Sequence, residues 1–216
     1  MRDKAKDAAE KAIRGQCAME SAFRLFSEKG IDLVTMPDIS ADSGVGRSSL
    51  YRYFSTKLDL VIAIGTWKWN EYIDAHYATL TPEKLNQMTA AEYLRWYMDA
   101  FIDLYRNHSD ILRFNYYFNS YLRNEKAAQE QVQPYMDVIE RLKAGFHEIY
   151  EKGVKDGTIR TEISEEAMIS SSFHIMLAAV TRYAVGLVYA PEEGTDPEAE
   201  LVMLENALLR EYTNVN

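Results

Sequence analysis

The side chains best equipped to act on another molecule are concentrated between Met36 and Leu60, in MPDISADSGVGRSSLYRYFSTKLDL. Arg47, Ser48, Ser49, Tyr51, Arg52 and Tyr53 bring guanidinium, hydroxyl and phenol groups into one short run, and Lys57 follows. Arginines bind guanine edges in bidentate fashion, while Ser and Tyr hydroxyls hold phosphates or base edges. A short helix exposing such groups packs poorly but is well suited to reading a groove of duplex DNA. Covalent chemistry has no comparable signature. Di-iron bundles need Glu-x-x-His pairs, yet the residues three before His76, His108, His147 and His174 are Ile73, Tyr105, Ala144 and Ser171. There is no Gly-x-Ser-x-Gly, His-Glu-x-x-His, phosphate loop or cysteine cluster. No enzyme, cofactor or metal site is therefore expected.

Elements of defined geometry must hold these groups. Pro37 favours a first helical turn, where its missing N–H costs nothing, so a helix is expected from Pro37 to Asp42 with Ile39 and Ala41 as its apolar positions. Thr35 is a plausible N-cap. Gly44 can leave that helix in a left-handed conformation, and Val45 should fill the angle before a second helix from Arg47 to about Phe54. Leu50 and Phe54 then share one face, while Arg47, Ser48, Tyr51 and Arg52 point elsewhere. Ser55 reads as the N-cap of a further helix. Lys57 in its first turn opposes the helix dipole, a placement that a nearby phosphate would offset. Upstream, residues 4 to 29 are expected to form an amphipathic helix ending at Gly30, with Phe23 and Phe26 supporting the head and Lys4, Lys6, Lys11 and Arg14 either touching phosphates or only solvated.

This arrangement resembles the DNA-binding domain of the tetracycline-repressor (TetR) family. The matching residues are Ala22, Phe23, Leu25, Phe26, Glu28, Gly30, Thr35, Ile39, Ala41, Gly44, Val45, Leu50, Tyr51, Tyr53, Phe54, Lys57 and Leu60. The family usually has Ser, Thr or Asn just after the turn valine, where this chain has Gly46; glycine caps nearly as well, with a penalty of a few tenths of a kcal/mol. The resemblance implies a phosphate contact for Thr35, a homodimer, and a C-terminal cavity in which a small-molecule effector moves the DNA-binding heads apart. It implies an all-α fold of about nine helices, with a three-helix DNA-binding domain over residues 1–56 and a ligand-binding and dimerisation domain over 57–216.

The rest of the chain reads as helices throughout. They are expected over 57–79, 89–107, 110–123, 125–156 (interrupted or restarted at Pro134), 162–189 and 197–212, with a loop from Pro191 to Pro197. The 162–189 helix is too apolar for a surface helix, and its small residues allow a second protein layer to approach. With the last helix it should form a two-fold interface, for which Ser171, Ala178, Arg182, Val185, Leu201, Leu204 and Leu208 are the candidates; the alternative is a helix simply central in the monomer. Aromatic density beyond Trp96 suits a pocket for a mostly apolar or aromatic ligand: Trp96, Tyr97, Phe101, Phe114, Tyr117, Tyr121, His147 and His174. The same aromatics at helical spacing also serve as core, and the acidic C-terminal half leaves a cationic ligand open.

Composition bounds this reading. The 216 residues carry a net charge of -9, but residues 1–62 hold ten Lys and Arg against nine Asp and Glu, leaving 14 against 24 beyond them. Screening over ~8 Å makes the local balance the relevant one for DNA. A single cysteine, Cys17, excludes an internal disulfide; within a helical pattern it is expected to be at least half-buried, in a reducing cytoplasm. No uncharged run reaches the ~20 residues of a membrane span. The function expected is a ligand-responsive, sequence-specific transcriptional regulator, with repression favoured, acting as a dimer on operator DNA. The alternative is a helical small-molecule-binding protein of the same fold without DNA binding.

Overall fold

A computed structural model describes residues 4–186 and 196–214. The side chains of Lys4 and Lys6, the expected helix end at Tyr189 and the 191–195 loop lie outside the described residues. Within them the secondary structure is helical, apart from an isolated antiparallel bridge between Ile159 and Thr213. No described helix is long and apolar enough to cross a membrane.

Two compact units are distinguished. The first takes Met1–Trp69 and Arg113–Met136, the second Asn70–Leu112 and Asp137–Asn216. Compactness thus divides the chain inside a helix, at Trp69, where a boundary at residue 57 was expected.

The first unit contains α1 (Lys4–Lys29), α2 (Met36–Ser43), α3 (Arg47–Tyr53), the start of α4 (Lys57–Tyr77), most of α7 (Ser109–Glu125) and the first turns of α8 (Gln129–Asp156). Phe26, Ile39, Leu50, Leu60, Ile64, Phe114 and Phe118 are fully buried in it. Phe114 lies 5.6 Å from Phe23 and 6.4 Å from Phe26, centroid to centroid, so α1 is held by the aromatics expected to support the head. Cys17 is exposed, not half-buried: it occupies the solvent side of α1, next to the fully buried Ala18.

The second unit contains the end of α4, α5 (Pro82–Gln87), α6 (Ala90–Asn107), the rest of α8, α9 (Glu165–Ser172), a π-helical turn (Phe173–Leu177), α10 (Ala178–Ala184) and α11 (Pro197–Tyr212). α6 is its centre. Thr89 and Glu92 cap it reciprocally, and Asp156 accepts from the Ala90 N–H at 2.7 Å, a carboxylate placed where the helix dipole favours it. α6 packs against α10 and α11, with Tyr93, Leu94, Tyr97, Met98, Phe101 and Ile102 buried.

Several local expectations are corrected. The cap of α4 is Thr56, not Ser55: its hydroxyl accepts from the Asp59 N–H at 3.0 Å and the Asp59 carboxylate accepts in return at 3.0 Å. The helix break comes at Lys126, whose φ is 51°. Pro134 sits inside α8, where it and Glu130, four residues before, are exposed and the unpaired carbonyl meets water. A short helix, α5, capped by Thr81, occupies the expected break after α4. The expected 162–189 helix starts at Glu165, passes through the π-helical turn and gives way at Gly186, which has φ 89°. With α5 and this subdivision, eleven α-helices are described where about nine were expected.

Candidate functional site

The reading head is assembled by short-range bonds. The Thr35 hydroxyl accepts from the Asp38 N–H at 3.3 Å, and the Asp38 carboxylate accepts from the Thr35 N–H at 2.8 Å, a capping box at the start of α2. Asp42 fastens the other end to α1, accepting from Ser21 at 2.5 Å and Arg24 at 2.5 Å. Those bonds, the Ser21 hydroxyl first, hold Asp42 below the usual carboxylate range. Gly44 adopts φ 68° as the left-handed exit. Met36 and Ile39 are the buried residues of α2, whereas Ala41 is exposed.

α3 follows with Gly46 at its N-cap and no side-chain cap bond. Leu50 is its one buried residue. Arg47, Ser48, Tyr51 and Arg52 are exposed, and Ser49 and Tyr53 are half-buried. The Arg52 guanidinium lies 5.6 Å from the Tyr53 ring centroid, and the Lys11 ammonium approaches the same ring at 6.0 Å. Tyr53 thus gathers a cation from α1 and one from α3 beside a shallow hollow. Polar side chains anchored by a single leucine form a surface able to hydrogen-bond a duplex.

Lys57 is placed differently from the expectation. Its ammonium donates to the Ile31 carbonyl and lies 5.3 Å from the Tyr121 ring and 5.9 Å from the Phe26 ring. Burial pulls its pKa down, against the pull of Asp32, Glu125 and Asp38. Its visible role is to tie α4 to the segment after α1, with the ammonium turned inward and not toward a phosphate.

The eight residues expected around a ligand are divided between the two units. Phe114, Tyr117 and Tyr121 belong to the first unit: Phe114 is core, Tyr117 lies against Gly30, and Tyr121 lies under Lys57. In the second unit Tyr97 is buried and donates to the Leu142 carbonyl at 3.0 Å, and Phe101 is buried edge-on to Phe173 at 5.3 Å. His147 is exposed, its Nδ1 2.9 Å from Glu165, whose bond raises the imidazole pKa. His174 is exposed beside Ser170 at 3.4 Å. Trp96 is half-buried and stacks on His76 at 4.1 Å.

That stack borders a cavity of about 530 Å³ enclosed by α4, α6 and α11, with Tyr72, His76, Asp99, Asp103 and Glu205 among its lining. Glu205 is only 2% exposed, and its Oε1 has no hydrogen-bond partner within the protein. Burial first, then Asp99, pushes its carboxyl up to about 7. His76 Nε2 is buried without a partner as well. This cavity presents polar and apolar surface in near-equal measure, where a mostly apolar pocket was expected, and sequence reasoning missed Glu205. The signal was present: Glu205 lies four residues from both Leu201 and Leu209, a carboxylate inside the buried stripe of α11.

Of the interface candidates, Ala178 and Arg182 are exposed, and Ser171, Val185, Leu204 and Leu208 are half-buried. Leu201 is 1% exposed and belongs to the core of its own chain, because it shares the inward stripe with Leu209 and Tyr212. Ile175 and Met203 are large apolar residues left exposed on these elements, Met203 at 65%.

Residues 18–64 match the model of the family "Bacterial regulatory proteins, tetR family". Over 184 residues the chain is 27% identical to the uncharacterized HTH-type transcriptional regulator YfiR of Bacillus subtilis, covering 82% of each. A bacterial regulatory protein in the tetR family from Rhodococcus RHA1 has a similar structure, with a TM-score of 0.71 at 17% identity, over 94% of this chain and 98% of that one. The fatty acid degradation regulator FadR from Bacillus halodurans gives a TM-score of 0.69 at 17% identity, over 91% and 94%.

Proposed function

We propose that this chain, whose residues 18–64 match the model of the bacterial tetR-family regulatory proteins, is a ligand-responsive repressor that binds operator DNA as a homodimer and releases it when a small molecule occupies the second unit. The observation that carries the reading is α3, where Arg47, Ser48, Tyr51 and Arg52 are exposed around a single buried leucine. Thr35, Ser49 and Tyr53 complete the DNA-contacting set, with Lys11 added from α1. Residues 1–56 form the reading domain and 57–216 the effector and dimerisation domain.

A helix-turn-helix dimer reads half-sites one helical turn apart, ~34 to 36 Å between recognition helices. The exposed faces of α10 and α11 supply the two-fold contact. Effector and operator then weaken each other reciprocally, because each favours a different separation of the heads. α4, whose residues are shared by both units, is the lever. That the structurally similar FadR is a fatty acid degradation regulator supports metabolite control on this fold. The compartment proposed is the cytoplasm, and no catalytic role is assigned.

Fluorescence anisotropy with DNA from upstream of the chain's own gene tests the reading. Saturable, sequence-dependent binding at moderate salt supports it. Its absence for every upstream fragment leaves the alternative, a ligand-binding protein that does not act on DNA.

A further inference from the structure

We propose that the cavity enclosed by the end of α4, by α6 and by α11 is a site for a small organic amine in its cationic form, held through its N–H groups by Glu205, Asp99 and His76. The inference deepens the effector reading above and rests on it only for the link to DNA.

Two buried polar atoms on the cavity lack partners. Glu205 Oε1 and His76 Nε2 are both buried, both without a partner in the protein, and both on this cavity. A buried polar atom left unpaired is destabilising, so a ligand that reaches both recovers part of that cost. Charge selects the kind of ligand. Three carboxylates line the cavity against two guanidiniums, which act on Glu205 from a distance while hydrogen-bonding to other groups: Arg95 donates to Asn206 at 3.0 Å and Arg106 to Glu198 at 2.5 Å. Asp103 already accepts from Asn107 at 2.7 Å and faces the Tyr72 hydroxyl at 3.1 Å. Asp99 and Glu205 share a hydrogen bond with each other, which leaves Glu205 Oε1 as the open acceptor and lets an entering N–H group bridge the pair. A cation beside them favours the ionised carboxylate, against the burial that now opposes it.

Size and walls narrow the choice. About 530 Å³ is far more than one ion needs and falls within the range of small-molecule sites. No group of three His, Cys, Asp or Glu among the described residues is arranged to hold a metal ion. The Tyr72 and His76 rings, 6.2 Å apart and stacked, give one aromatic wall suited to a cation and the methylenes beside it.

The probe is diaminobutane, titrated calorimetrically into the full-length protein, with tetramethylammonium as a cation lacking N–H groups and butyrate as an anion. The diamine is expected to bind saturably and raise Tm with concentration, tetramethylammonium to bind more weakly by about tenfold or more, and butyrate not to bind. Glu205→Gln keeps the shape of the side chain while removing its charge, and is expected to weaken diamine binding by about tenfold or more; its cooperative melt verifies folding. The proposal is overturned if diaminobutane does not bind, if Glu205→Gln binds it as well as the native chain, or if tetramethylammonium binds equally well. Operator release is read separately. Diamine binding that leaves operator affinity unchanged would remove the effector role and leave the site standing.

Discussion

A Cβ on Gly65 would lie 2.9 Å from Cε2 of Phe118, so α4 and α7 meet where only a glycine fits. The Phe118 ring is fully buried, with the Phe114 ring at 5.6 Å and the Tyr135 ring at 4.6 Å from it. Gly65→Ala gains about 0.5–1 kcal/mol of helix propensity, but overpacking a dense core costs about 1–3 kcal/mol. The expected net result is a loss of roughly 1 kcal/mol, read as a lower midpoint in urea.

Arg52→Ala and Lys11→Ala should differ in kind. Loss of an arginine reading a base edge costs about 1–3 kcal/mol and relaxes specificity at one position, whereas loss of a phosphate contact weakens all sequences alike and lowers the salt slope by about 1. Anisotropy against operator and scrambled duplexes at two salt concentrations separates them. Unchanged affinity for Arg52→Ala would mean that α3 does not read DNA.

The capping box at Thr35 makes α2 sensitive to acid. The Thr35 hydroxyl, then its backbone N–H, holds the Asp38 carboxyl below the usual range. A depressed carboxylate contributes stability above its unfolded pKa and loses it as pH falls through the folded one. Thr35→Ala should lower stability by about 1 kcal/mol near neutrality, with a smaller effect in acid, as thermal melts by circular dichroism will show.

Glu205 has the opposite sign. Its folded pKa is raised from 4.5 to about 7, so its contribution is complete below 4.5 and is lost as pH rises through about 7. His76, whose pKa burial lowers, costs stability as pH falls through its unfolded value of 6.5, but that term is shared by both proteins. Urea unfolding at about pH 5 and about pH 8 should therefore show Glu205→Gln gaining on the native chain at the higher pH. An equal difference at the two pH values would contradict the raised carboxyl.

Met203 on α11 and Ile175 on the π-helical turn that leads into α10 are exposed apolar side chains beside the faces proposed to meet across the two-fold axis. Met203→Glu with Ile175→Glu should leave the monomer folded, since neither residue is buried in it, and shift sedimentation from dimer to monomer. Operator affinity should fall with dimerisation.

What was legible in the sequence was local. Thr35, Pro37 and Gly44 bound α2 through bonds and dihedrals within a few residues, and Asp196 and Pro197 do the same for α11, so both helices could be read directly. What depends on distant partners could not. Lys57 finds its acceptor at Ile31, 26 residues away, and no spacing rule reveals a backbone carbonyl in another segment. Aromatic density past Trp96 suggested one pocket, but the helices carry Phe114 and Tyr97 into cores of different units. The π-helical turn at Phe173–Leu177 likewise arises where apolar periodicity alone gives an unbroken helix.

The exposed sulfur of Cys17 makes the heads directly observable. As the chain's single cysteine, placed on the outer face of α1, it accepts one spin label or fluorophore per protomer without any mutation. In a two-fold dimer such labels define a single distance from head to head. That distance, followed as operator or diamine is added, would report the switch itself, independently of any change in affinity.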